Sequence, residues 1–66
     1  MPLRVVGPDE RLTRAARSMV GAEERARRVT LLVGEAEIQQ RAKGKEWQTI
    51  ERFRLVNGRV TRTTAW

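Results

Sequence analysis

Few side chains in this sequence could carry out catalytic chemistry. Histidine, cysteine and tyrosine are absent, and Ser18 is the only serine. A serine nucleophile needs a base beside it, so acid–base work would fall to a carboxylate. Glu51 is the one weak candidate, because alternation along a strand would place it on the same face as Trp47 and Phe53. The alternative is that Glu51 pairs diagonally with Arg62 across a hairpin, so we assign no catalytic residue.

Residues that bind metals or cofactors are equally scarce. Structural zinc is held mainly by cysteine and histidine, which this sequence lacks. Glu35 and Glu37 would share one face of a strand, but two carboxylates alone are weak evidence for a cation site, and solvated charges are the simpler interpretation. The five glycines are scattered rather than gathered in a phosphate-binding loop. We therefore predict no metal and no cofactor, and we favour a protein that is not an enzyme.

Positive charge is the strongest chemical signal. Fourteen basic residues against eight acidic ones give a net charge of +6, and twelve of the fourteen are arginine. Such an excess attracts polyanions, nucleic acid first among them. The predicted basic face combines one face of a C-terminal hairpin with the turn before it: Arg41, Lys43, Lys45, Arg52, Arg54 and Arg59. A second basic region lies on the predicted helical segments: Arg14, Arg17, Arg25, Arg27 and Arg28. The competing interpretation is a solvated face without an anionic partner.

A β-hairpin must position most of the basic face. Asn57-Gly58 separates two alternating segments, which predicts strands over 52–56 and 59–63 joined by a tight turn. Strict alternation then assigns the following residues to its apolar face: Phe53, Leu55, Val60, Trp47 and, at the terminus, Trp66. Because these rings and the arginines are predicted on opposite faces, we do not expect base stacking and phosphate contacts to coincide. Residues 45–56 also fit a helical period, but the Asn-Gly turn makes us favour the strand.

The segments before the hairpin predict one helical region between strands. Pro8-Asp9-Glu10 has the composition of a helix start, and an apolar stripe follows it. The predicted elements are a strand over residues 3–6, helical segments over 9–20 and 22–28, and a strand over 29–33 that bends at Gly34 and can continue to residue 40. A polar turn over 42–45 follows. The resulting order is β-α-β-β-β. We therefore predict an α+β fold, with the helix packed on one face of a sheet that ends in a three-stranded antiparallel meander.

This order of segments resembles a known superfamily. Gly7-Pro8 before a helix, the turn Gly44-Lys45-Glu46-Trp47, the hairpin 51–60 and a terminal Trp66 are similar to the second half of the polyketide-cyclase-like and ketosteroid-isomerase-like proteins. These belong to the cystatin-like, nuclear-transport-factor-type α+β superfamily. The resemblance covers nearly the whole chain but only about half of a typical member. It implies a small-molecule pocket whose missing walls a second subunit would supply. No catalytic residue carries over, since histidine and tyrosine are absent.

The length predicts a single domain over residues 1–66 that gains from a partner. A chain of this size buries a small core, and without disulfides or zinc the stabiliser left is self-association. Its N-terminal residues lack the pattern of a signal peptide, and its longest apolar runs are too short to cross a bilayer, so we expect a cytoplasmic protein without a membrane partner. Trp47, Phe53 and Trp66 are the aromatic residues that a pocket or an interface would use.

Two functions from different classes follow from these patterns. The favoured one is a small non-enzymatic binding module, homo-oligomeric, whose basic face engages an anionic partner that is either nucleic acid or an acidic protein surface. The alternative is a truncated cyclase-like or isomerase-like protein with a small-molecule pocket around Trp47, Glu51 and Phe53, completed by a second subunit. The first depends on surface charge, and the second depends on three side chains converging on one site.

Overall fold

A computed structural model describes residues 2–64 and shows an antiparallel sheet with one helix on its face. The strands are β1 (Leu3–Val6), β2 (Arg14–Ala16), β3 (Glu35–Gln40), β4 (Gln48–Val56) and β5 (Arg59–Thr64), and the helix is α1 (Met19–Val33). The sheet order is β2-β1-β3-β4-β5, and every neighbouring pair is antiparallel. The predicted α+β class, with a helix packed on a sheet, is confirmed. The observed order β-β-α-β-β-β corrects the predicted β-α-β-β-β.

The helix predicted over 9–20 is wrong for all but its last two residues, which belong to α1. Asp9 instead begins a 3-10 turn of three residues, Glu10–Leu12, and its carboxylate accepts the backbone N–H of Arg11. That bond, together with the Arg11 guanidinium, holds the pKa of the Asp9 carboxyl below its usual value. The chain then forms β2, whose backbone pairs with β1. Pairing with an existing strand outweighs the helical spacing of the same residues, because it satisfies the backbone and adds a strand to the sheet.

The helix lies further along the chain than predicted. Helix over 22–28 is confirmed, but the strand predicted over 29–33 is wrong because α1 continues through it. The buried stripe of α1 explains this: Ala22, Ala26, Val29 and Thr30 recur at helical spacing and face the sheet. Packing of this stripe overrides the strand propensity of the β-branched residues.

Gly34 ends the helix rather than bending a strand. Its φ is 95°, and its N–H bonds to the carbonyl oxygen of Thr30 at 2.8 Å. Only glycine adopts this left-handed conformation without strain, which is why helices commonly end this way. The chain turns at this point and enters β3 at once.

Ser18 decides where the helix begins, which provides a test. Its hydroxyl accepts the N–H of Gly21 at 3.1 Å, and the side chain is otherwise exposed. Ser18→Ala is expected to lower the free energy of unfolding by about 1 kcal/mol, since it leaves that N–H without its cap. Ser18→Asp restores an acceptor and is expected to keep wild-type stability. Urea unfolding followed by circular dichroism measures both; equal losses in the two variants would contradict the capping role.

The hairpin is confirmed with its predicted register. Val56 pairs with Arg59 and Phe53 with Arg62, and the two turn residues have the positive φ values that such a turn needs, 51° at Asn57 and 77° at Gly58. Residues 48–56 are strand, so the helical alternative for this segment is wrong.

The helix α1 packs on only one of the two faces of the sheet. We call the face under α1 the inner face and the opposite one the outer face. The core between α1 and the inner face consists of Val5, Ala22, Ala26, Val29, Ala36, Ile38 and Phe53. Within residues 2–64 no second helix covers the outer face. Side chains of that face, such as Arg52 and Arg54, are exposed.

Candidate functional site

A β-bulge in β4 reverses the predicted position of Trp47. Ile38 of β3 pairs with Glu51, but the next residue, Gln39, pairs with Thr49, so β4 contains one additional residue, Ile50. Because side chains alternate along a strand, one extra residue moves every earlier side chain to the opposite face. Trp47 therefore lies on the outer face with the basic residues, and the prediction that it shares a face with Phe53 is wrong.

Two arginine side chains lie over the Trp47 ring. The guanidinium carbon of Arg4 is 4.2 Å from the ring centroid and that of Arg41 is 4.8 Å from it. The ring is half-buried, and each distance is within the range of a cation–π interaction. An aromatic ring and positive charge thus lie together at this end of the sheet. The prediction from alternation, that the rings and the arginines occupy opposite faces, is wrong for Trp47.

Arg4 was not among the predicted site residues. Its Nε donates to Gln39 Oε1 at 2.7 Å, and the Gln39 amide nitrogen lies 3.4 Å from Thr49 Oγ1. Thr49 in turn donates to Glu37 Oε1 at 2.8 Å. This chain of contacts crosses three strands and holds the Arg4 guanidinium beside Trp47. Alternation in β1 already indicated that Arg4 points away from Val5, but only the sheet order brings it to Trp47.

The turn between β3 and β4 adds more positive charge next to Trp47. Its basic side chains are Arg41, Lys43 and Lys45, which with Pro2, Ala42 and Gly44 line a cleft of about 430 Å³. The Lys45 N–H bonds to the Ala42 carbonyl oxygen at 3.0 Å, and the Arg41 N–H bonds to that of Pro2 at 3.2 Å. These bonds fix the turn against the start of β1. We call Arg4, Arg41, Lys43, Lys45 and Trp47 the Trp47 site.

The hairpin arginines are less available than predicted. Arg52 Nε lies 3.4 Å from Glu37 Oε2, and Arg54 sits opposite Glu35 in the register. Both carboxylates therefore lower the positive potential in the middle of the outer face. Arg59 lies apart from them, at the hairpin turn. Positive charge is therefore most concentrated at the Trp47 site, which includes Arg41, Lys43 and Lys45 of the predicted basic face.

Glu51 lies on the inner face, beneath the helix. Its side chain is 10% exposed, and Arg62 Nη1 lies 3.8 Å from its Oε1. The predicted diagonal pairing with Arg62 is confirmed. Arg62 also bonds to Glu23 of α1 at 2.9 Å, so its charge is shared between two carboxylates. Glu51 Oε2 is buried without a hydrogen-bond partner among the described groups.

The three residues of the predicted small-molecule pocket do not converge. Phe53 is fully buried in the core, Trp47 lies on the outer face, and Glu51 lines neither the cleft at the turn nor the second cleft, of about 230 Å³, between β1, β3 and β4. Trp66 lies outside the described residues. The described part of the chain therefore brings Trp47 together with basic residues rather than with Glu51 and Phe53.

Metal ligation and membrane crossing find no support in residues 2–64. No group of three or more metal-ligating side chains converges there, and Glu37 is engaged by Thr49 and Arg52. Nor does that part of the chain contain a helix with the length and apolar character that a bilayer crossing needs.

Comparisons with protein-family models, curated proteins and solved structures find no match to this chain.

Proposed function

We propose that this protein is a non-enzymatic module that binds single-stranded nucleic acid at the Trp47 site. One observation carries the proposal: two guanidinium groups lie within 5 Å of an aromatic ring on an uncovered sheet face, at 4.2 and 4.8 Å. Single-strand binders combine a positively charged groove with aromatic rings on which bases stack. The Trp47 site supplies both kinds of contact at one end of one sheet.

The chemistry of the ring favours nucleic acid over an acidic protein surface. Lys43 and Lys45 of the turn cleft can contact any anionic group. The indole lies under the guanidinium groups of Arg4 and Arg41, and a base can stack on a guanidinium plane or on an aromatic ring, whereas a carboxylate cannot. Arg4, held by Gln39 at 2.7 Å, is positioned before a ligand arrives, and this reduces the entropy lost on binding.

A relation to the cystatin-like superfamily remains a hypothesis beside this function. The helix followed by the antiparallel meander of β3, β4 and β5 supports it. The strand β2, which precedes the helix, departs from the expected order. The proposed binding function does not depend on this relation.

The decisive test removes the ring and keeps the charge. Trp47→Ala is expected to weaken binding of a fluorescein-labelled oligothymidylate by about 5- to 150-fold, the loss of one base stack worth about 1–3 kcal/mol. Trp47→Phe keeps an aromatic face and is expected to retain most of the affinity. Fluorescence anisotropy at fixed salt measures both variants, and circular dichroism confirms that each is folded.

Inorganic polyphosphate is the control ligand that distinguishes binding of nucleic acid from binding of any anionic partner. It carries the charge of a nucleic acid backbone but no bases, so Trp47→Ala is expected to leave its affinity nearly unchanged. If Trp47→Ala weakens both ligands equally, the ring does not stack bases and an acidic protein surface becomes the better candidate. If wild-type protein binds neither ligand at low salt, the proposed function is wrong.

A further inference from the structure

A further basic residue, Arg17, lies at the end of the sheet where β1 begins. The sequence pattern assigned it to a helix, but it follows the last residue of β2, Ala16, which pairs with Leu3. Pro2 precedes Leu3, and its carbonyl oxygen accepts the N–H of Arg41 at 3.2 Å. The end of β2, the start of β1 and the end of β3 therefore lie side by side, and Arg17 and Arg41 flank Pro2.

The side chain of Arg17 is exposed at this end of the sheet. Ala16 packs against the core beneath α1, and alternation directs the next side chain away from that core, toward the outer face. Within residues 2–64 the Arg17 guanidinium forms no ion pair or hydrogen bond. Ala15, which pairs with Arg4, is small and exposed. The surface between the two arginines thus has room for a ligand.

A row of positive charge crosses the strands at this end. The sheet order is β2-β1-β3-β4 from Arg17 to Trp47, and neighbouring strands lie about 4.8 Å apart, so the row spans roughly 14 Å. Arg4 and Arg41 lie between its ends, with their guanidinium carbons 4.2 and 4.8 Å from the Trp47 ring centroid. Glu46 is the only acidic residue of the turn 41–47. Positive charge therefore continues from the Trp47 site to β2.

The alternative path along β4 toward the hairpin turn passes two carboxylates. Glu35 and Glu37 of β3 pair with Arg54 and Arg52, and Arg52 Nε lies 3.4 Å from Glu37 Oε2. A phosphate placed there would be repelled by these carboxylates. Arg59 lies beyond them, separated from the start of β4 by the nine residues of that strand, roughly 30 Å. The charge pattern thus favours the path across the strands.

We propose that a single strand bound at the Trp47 site runs across the strands to Arg17 and does not follow the hairpin. The inference rests on the proposed nucleic-acid function and adds Arg17 to it as a phosphate-contacting residue. A base stacked at the Trp47 site leaves its neighbouring phosphates beside Arg4 and Arg41, and the strand then reaches Arg17. A path of this length corresponds to the short end of the site sizes of single-strand binders, about 4 nucleotides.

Two substitutions of equal charge distinguish the two paths. Arg17→Gln is compared with Arg59→Gln, since both arginines are exposed and each change lowers the net charge of +6 by one. Anisotropy titrations with a fluorescein-labelled oligothymidylate at several salt concentrations measure the affinity and its salt slope, and circular dichroism confirms the fold. Arg17→Gln is expected to reduce the slope by about 0.7 and the affinity at about 0.1 M salt by about fivefold. Arg59→Gln is expected to leave the slope unchanged.

Wild type and Trp47→Ala are measured in the same series, so that failure of the path is distinguished from failure of the function. If Trp47→Ala weakens binding but Arg59→Gln reduces the slope as much as Arg17→Gln does, the path is wrong and the function stands. An unchanged slope in Arg17→Gln also overturns the path, because the phosphates then do not reach β2. If wild type does not bind, or Trp47→Ala has no effect, the proposed function is overturned and the path with it.

Discussion

Phe53→Ala is expected to remove most or all of the stability of this protein. Phe53 is the largest fully buried side chain, it joins β4 to both of its neighbours in the sheet, and the guanidinium carbon of Arg27 lies 5.8 Å from its ring centroid. Emptying such a site costs about 3–5 kcal/mol. A domain of this length has a total stability on the order of 3–10 kcal/mol, so little margin remains.

Leu55→Ala is the matched control for this substitution. Leu55 lies two residues further along β4 on the same face, but 38% of it is exposed, so we expect a loss below about 1 kcal/mol. Urea unfolding at low micromolar protein, where self-association does not enter, compares the two variants by circular dichroism. Equal losses in Phe53→Ala and Leu55→Ala would show that the core is not centred on Phe53.

Removing the charge of the basic turn is expected to have the largest effect on nucleic-acid binding. Replacing Arg41, Lys43 and Lys45 with glutamine removes up to three phosphate contacts from the cleft. Each contact with a single strand contributes a slope of about 0.7 to the dependence of log K on log salt. The slope is therefore expected to fall by about 2, and the affinity at about 0.1 M salt by about 100-fold.

The helix provides a control with the same change in net charge. Replacing Arg25, Arg27 and Arg28 with glutamine also lowers the charge of +6 by three, but these residues lie on α1, which covers the opposite face of the sheet. Only a small, nonspecific loss is expected there. Anisotropy titrations with a labelled oligonucleotide at several salt concentrations give both slopes. Equal changes in the two variants would mean that total charge, rather than the Trp47 site, governs binding.

Local patterns in the sequence predicted the C-terminal half of the fold well. The Asn57-Gly58 turn determines the register of β4 and β5, because both turn residues must adopt positive φ and the strands follow from them. The diagonal approach of Arg62 to Glu51 follows from the same alternation. These features involve neighbours along the chain or across one tight turn.

The N-terminal half could not be predicted in this way. The local patterns of residues 9–20 and 29–33 predicted the wrong elements, because contacts with residues distant in the sequence decide their structure. β1 recruits residues 14–16 into the sheet, and the inner face binds the stripe of α1 that ends in Val29 and Thr30. Local propensities differ by less than the free energy of such packing.

The sequence by itself determined the chemical character of this protein: a basic surface, few catalytic groups and an amphipathic hairpin. Only the tertiary structure decided where the functional residues lie. A single extra residue in β4, Ile50, carries Trp47 to the outer face, and the position of β1 beside β3 brings Arg4 to it. The positions of Trp47 and Arg4 cannot be predicted from alternation along one strand, because pairing with other strands determines both the bulge and the strand order.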